Sequence, residues 1–209
     1  MSQIADEADL DAAGALGIVA QQRQAAQTGL RTDSRVFYAT WAVVWLVGFG
    51  ALWVSTGPHP DDYPPPWGWA VLGVLILAGI AINIVYPAVR WRGIRGLTVR
   101  AGTMWGISWF IGFLGAMAAA ARLSEQLTPS QGLVLYNLLC ALIPGLLYMG
   151  LGTFTHDTPV FLVGAWWVVI AVAATLVGLP AGLLVMALAG CTGMVVMLIV
   201  ESVRRGRRA

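Results

Sequence analysis

Six stretches of this chain each approach the ~20 apolar residues that a helix needs to cross a hydrocarbon core. They lie at 36–55, 67–89, 101–121, 132–153, 160–178 and 181–200, with short connections between them. Inside a bilayer no water is available for backbone N–H and C=O groups, so a run of this kind must become a helix that bonds to itself. The composition points the same way. The 209 residues are 58% hydrophobic and 11% charged, against roughly 25% charged in a soluble domain. One soluble core of this size could not hide that much apolar surface. The expected fold is all-α: a polytopic membrane protein with six transmembrane helices, residues 36–201, preceded by a cytoplasmic segment 1–35 and followed by a basic tail 202–209.

The connections carry helix breakers. Gly57-Pro58-His59-Pro60-Asp61-Asp62-Tyr63-Pro64-Pro65-Pro66 joins the first two runs, and its last three prolines make a stiff extended arm. Pro66, Pro129 and Pro180 precede the second, fourth and sixth runs, and proline is well suited to a helix start.

The basic residues number twelve and all are arginine. With six spans, Arg23, Arg31, Arg35, Arg90, Arg92, Arg95, Arg100, Arg204, Arg205, Arg207 and Arg208 fall on one side, and Arg122 falls on the other. The positive-inside rule then predicts a multi-pass protein of the cell membrane with both termini in the cytoplasm. Arg204, Arg205, Arg207 and Arg208 are expected to contact anionic lipid headgroups. The net charge of +2 is too small to suggest nucleic acid.

Trp41-Ala42-Val43-Val44-Trp45-Leu46-Val47-Gly48-Phe49 returns as Trp105-Gly106-Ile107-Ser108-Trp109-Phe110-Ile111-Gly112-Phe113, with both tryptophans, the glycine and the phenylalanine kept in place. Gly164, Trp166 and Trp167 are a degraded third copy. Odd-numbered spans all run outward, so the repeat predicts three parallel helical hairpins about a pseudo-threefold axis along the membrane normal. Trp45, Trp109 and Trp166 lie at comparable depth, too deep for an interfacial belt, and are expected to form an aromatic layer around a pore or pocket. Trp41, Trp53, Trp67, Trp69, Trp91 and Trp105 fit interfacial belts. Gly48 and Gly112 are expected at helix contacts, as are Asn83 and Asn137. Gly102/Gly106, Ala141/Gly145 and Ala189/Gly193 supply small residues four apart for close packing.

Ionisable groups inside the spans are nearly absent, which argues against a proton- or ion-coupled pump. His59, Asp61 and Asp62 are metal-ligand types, but prolines separate them and no fourth group joins them, so no metal is expected. Thr155-His156-Asp157-Thr158 reads as a capped turn, with Asp157 or Thr158 starting the helix ahead of Pro159. No Walker loop, dinucleotide fingerprint or His-Glu-x-x-His occurs; neither an enzyme nor a cofactor is expected. Cys140 and Cys191 both fall in apolar runs and read as small hydrophobes. The N-terminus is acidic and polar, which predicts no cleavable signal peptide. Asp6, Glu7, Asp9 and Asp11 open a polar segment whose thin apolar stripe includes Leu16, Val19 and Ala26.

On its Trp-x-x-x-Trp-x-x-Gly-Phe repeats, over Arg35–Gly57 and Arg100–Ala118, and on its acidic N-terminal helix, the chain resembles a family of six-span integral membrane proteins of actinobacteria. Members often carry only the label "transporter", and the resemblance implies no established activity. The three-hairpin architecture is also similar to that of the urea and amide channels, and Trp41 to Trp53 resembles their tryptophan-rich span. Those channels lack the acidic tail, so the likeness is one of architecture.

Two functions are expected from these features. The repeat about an axis and the missing relay charges suggest a channel or facilitator for a small neutral or weakly polar solute. The acidic N-terminal helix and the arginine tail suggest instead a non-transporting subunit, sensor or scaffold. That protein would bind a partner through its cytoplasmic tails, as a homo-oligomer or within a membrane complex.

Overall fold

The computed structural model describes residues 14, 16–18, 33–57, 64–90 and 97–207. Six helices occupy the six apolar runs: α1 (Ser34–Thr56), α2 (Pro66–Arg90), α3 (Leu97–Ser124), α4 (Pro129–Thr155), α5 (Thr158–Val177) and α6 (Ala181–Gly206). All six are long and apolar enough to cross a membrane, which makes this a multi-pass membrane protein. The acidic N-terminal segment lies outside the described residues except at 14 and 16–18, which are helical. His59, Asp61 and Asp62 lie outside them as well.

Side chains set the helix starts. Asp33 caps α1 by accepting from Arg35 N at 3.0 Å. Thr128 and Gln131 cap α4 reciprocally, backbone to side chain in both directions, with Pro129 in the first turn. This satisfies two otherwise orphaned donors. Asp157 caps α5 with Thr158 and Pro159 following, as the turn predicted. The last helix runs further than expected. It continues to Gly206, so the boundary placed at 202 falls inside α6, and Arg204 and Arg205 are helical residues rather than a tail.

The hairpins pack in a row. Among the described residues α1 lies on α2 and α6, α5 lies on α6 and α4, α4 also touches α6, and α3 touches α4 alone. A closed threefold ring needs a third seam between α2 and α3. Among the described residues no Cα of α2 comes within 8 Å of one in α3. The small residues follow the same division. Where helices meet closely, glycine removes the obstacle: a Cβ on Gly164 of α5 would stand 2.5 Å from Met149 N of α4. Gly106 of α3, expected at such a contact, has nothing within 4 Å of where a Cβ would be.

The core lies along α1, α5 and α6. It is built from Trp45, Phe49 and Leu52 of α1, Trp167 and Ile170 of α5, and Leu183, Met186 and Met194 of α6. Outward-facing residues such as Phe110, Ile111 and Leu114 of α3 are exposed and would meet lipid tails. Trp53, Trp67 and Trp69 are exposed near the α1–α2 connection, a place suited to an interfacial belt.

Candidate functional site

Two places in the bundle combine aromatic or charged groups with burial. The first is the tryptophan core. Val44–Phe49 of α1 is π-helical rather than α-helical. A π-turn bonds i to i+5 and holds one residue more than an α-turn. The wider turn brings residues four apart closer to eclipsed, and the Trp45 and Phe49 rings stack at 4.8 Å and 8°. The equivalent pair in the second copy, Trp109 and Phe113 on the regular α3, stands 5.9 Å apart at 16°. Trp45 then meets Trp167 of α5 with ring centroids 4.3 Å apart. Gly190 of α6 makes the room: a Cβ there would lie 2.9 Å from Trp167 Cη2 and 3.3 Å from Trp45 Cβ.

The expected aromatic layer is not assembled. Trp45 sits in the core with Trp167. Trp109 faces Tyr148 of its own hairpin at 5.4 Å, and Trp105 on its own helix. Trp166 is 41% exposed and donates from Nε1 to Ala189 O at 3.0 Å. Trp167, absent from that expectation, is fully buried with no hydrogen-bond partner for its Nε1. The signal for it was available. Gly164, Trp167, Ala171 and Ala174 are all buried and step by three or four, with Val163 and Ile170 beside them, the period of an inward helical face. Trp166 is out of phase with that stripe.

Gly48 and Gly112 both face the return helix of their own hairpins, toward Leu72 of α2 and Ile143 of α4 respectively. Asn83 donates from its Nδ2 to Gly79 O on its own helix at 2.7 Å. Its donor finds a carbonyl one turn back, the local bond open to short polar side chains in helices. Asn137 is buried within α4.

The second place is a charged cluster at the end of the bundle where α1 and α5 begin and α2 and α6 end. Arg204 grips Asp157 with two parallel bonds, Nη1 to Oδ2 at 2.9 Å and Nη2 to Oδ1 at 3.1 Å. Arg205 reaches the other way, to Asp33 Oδ2 at 3.2 Å, and its Nε stands 3.7 Å from Glu201. Arg35 folds back on Asp33, donating from Nε at 3.0 Å and from Nη2 at 2.8 Å. Tyr86 of α2 closes the group by accepting from Asp33 N at 3.3 Å. Tyr38 lies one turn deeper in α1, within electrostatic reach of Glu201, Asp157 and Arg204.

Among the described residues three carboxylates thus face three guanidiniums. The hydrogen bonds from Arg35, aided by the nearby Arg205 charge, hold the Asp33 carboxyl below its ordinary range against the opposing effect of burial. Bidentate, charge-assisted pairs are the stronger kind, and each aspartate is at once a helix cap and an ion-pair partner. The arrangement fastens helices together. It also redistributes the arginines expected at lipid headgroups: Arg204 and Arg205 are engaged by Asp157 and Asp33, and Arg207 is exposed. Arg208 lies outside the described residues. A carboxylate within 3–4 Å and partly shielded from water attracts a guanidinium more strongly than a headgroup across screened solvent.

Comparison with family models, with curated proteins and with solved structures finds no match to this chain.

Proposed function

We propose that this integral membrane protein is a non-transporting subunit, a packed helical platform that presents the segments before α1 and after α6 side by side to a protein partner. The observation that carries the proposal is the Asp33–Arg205 pair at 3.2 Å, which joins the point where the chain enters the bundle to the point where it leaves. By the positive-inside rule that end faces the cytoplasm, since Arg35, Arg90, Arg100, Arg204, Arg205 and Arg207 gather there, while Arg122 at the far end pairs with Glu125. The acidic start of the sequence would then be offered beside arginines, a surface of mixed charge suited to a polar partner rather than to a solute. The aromatic layer that would have lined a passage for a neutral solute gives that alternative no support here, since Trp45 meets Trp167 and Trp109 meets Tyr148.

The test has two arms on the full chain. In native membranes, a photo-crosslinking residue at Arg207 should give one discrete adduct, and the same residue at lipid-facing Phe110 should give none. In proteoliposomes, glycerol and urea should enter no faster than into protein-free vesicles. Faster solute entry, or adducts at neither position, would overturn the proposal.

A further inference from the structure

We propose that Arg204 and Arg205 are two prongs of a single clasp, through which the starts of α1 and α5 are held or released together. The inference stands apart from whether a partner binds. It begins with helix geometry. Neighbouring residues on an α-helix point about 100° apart, and α6 lies between α1 and α5. Two adjacent arginines at its end therefore diverge toward its two neighbours. Arg204 reaches Asp157 at the start of α5, and Arg205 reaches Asp33 at the start of α1. Each prong ends on the residue that also caps the helix it holds.

Glu201 links the prongs. It precedes Arg204 by three residues and Arg205 by four, the spacings that meet on a helix surface. It stands 3.7 Å from Arg205 Nε, and its charge also acts on Arg204. If Asp157 lets go, Arg204 has Glu201 as its next carboxylate and draws it from Arg205; release at Asp33 runs the same exchange in reverse. One shared carboxylate makes the state of one prong depend on the other. Among the described residues α3, the remaining odd-numbered helix, touches only α4.

Asparagine separates the two duties of each aspartate, because it still caps a helix but carries no charge. The experiment uses the full chain in nanodiscs, with Cys140 and Cys191 replaced by alanine. A single reporter cysteine is placed at half-buried Ser34 in α1 or Val160 in α5, and its rate of labelling by a membrane-impermeant maleimide is measured. Asp157→Asn should raise labelling at both reporters, and Asp33→Asn should do the same. The distant effect should be at least about twofold, the low end of coupling between contacting charged groups. Adding Glu201→Gln should leave each effect at its own helix. An unchanged helical circular-dichroism spectrum for each variant serves as the check on folding. Acceleration confined to the helix of the substituted aspartate, no acceleration at either reporter, or a distant effect that survives Glu201→Gln would overturn the clasp.

Discussion

At the scale of single residues, two adjacent tryptophans are used in opposite ways. Trp167 is wholly enclosed between Trp45 and Gly190, while Trp166 keeps 41% of its surface and one hydrogen bond to a backbone oxygen. Removing a fully buried indole loses its contacts and leaves a cavity. Trp167→Ala should therefore cost about 3–5 kcal/mol, measured by SDS-induced unfolding in mixed micelles. Trp166→Ala gives up a bond worth about 0.6 kcal/mol on average between membrane helices, and some lipid-facing area besides. Its cost should be clearly the smaller, and the reverse order would refute the described core. Matching depth between repeat copies points to Trp166 rather than Trp167. Depth says how far along a helix a residue lies, whereas burial depends on rotation about it. The buried stripe through Gly164, Trp167 and Ala171 carried that rotation.

Asp33 gives a second residue-scale expectation. Its carboxyl is held low by Arg35, so what it adds to the start of α1 is present above the ordinary carboxylate pKa of 3.8. That contribution is lost only as pH falls through the depressed value in the folded protein. A titration of the labelled carboxyl should show a midpoint below 3.8. Arg35→Gln should move the midpoint upward, and an unchanged midpoint would remove Arg35 as the cause.

At the scale of helices, most of the pattern was legible. A run of about twenty apolar residues has one backbone solution in lipid, and Pro129, Asp157 with Pro159, and Pro66 marked starts that the structure keeps. Which helices touch was not legible. The repeat of Trp45 and Gly48 as Trp109 and Gly112 is a local pattern. It reports that α1 and α3 meet their own return helices alike, as Leu72 and Ile143 show. It does not say what lies on their other sides. The π-turn at Val44–Phe49 escaped notice for a similar reason, since one extra residue in a turn leaves the apolar composition unchanged. Helix contact is decided by whether backbones can approach. Gly164→Val should disrupt the α4–α5 seam, because even its first carbon lies 2.5 Å from Met149 N. The cost should be about 1–3 kcal/mol or more. Gly106→Val, with open space around it, should cost little beyond helix propensity, within about 0.5 kcal/mol. Equal losses in the same unfolding assay would contradict the described neighbour order.

At the scale of the whole molecule, the row α2–α1–α6–α5–α4–α3 places the hairpin of α5 and α6 in the middle and ties it on one side to the first helix. An even number of crossings returns the chain to the face it started from, and the charged cluster brings entry and exit together there. The alternation of arginine-rich and arginine-poor connections carried the first of these points in the sequence. The second needed the structure, because Asp33 and Arg205 are far apart in the chain and only the seating of α6 against α1 makes them neighbours. Under the proposed role, a platform of this form would offer both ends of its bundle to one partner at once.

Pulsed electron paramagnetic resonance between spin labels at Ser34→Cys and Gly206→Cys, with Cys140 and Cys191 replaced and the protein in nanodiscs, tests that juxtaposition most directly. The labels stand beside Asp33 and Arg205 and leave both intact. The account predicts a narrow distribution at short distance, well under the ~30 Å thickness of the hydrocarbon core. A distribution centred near or beyond that thickness would place the two ends on different faces or unclasped from each other, and would contradict it.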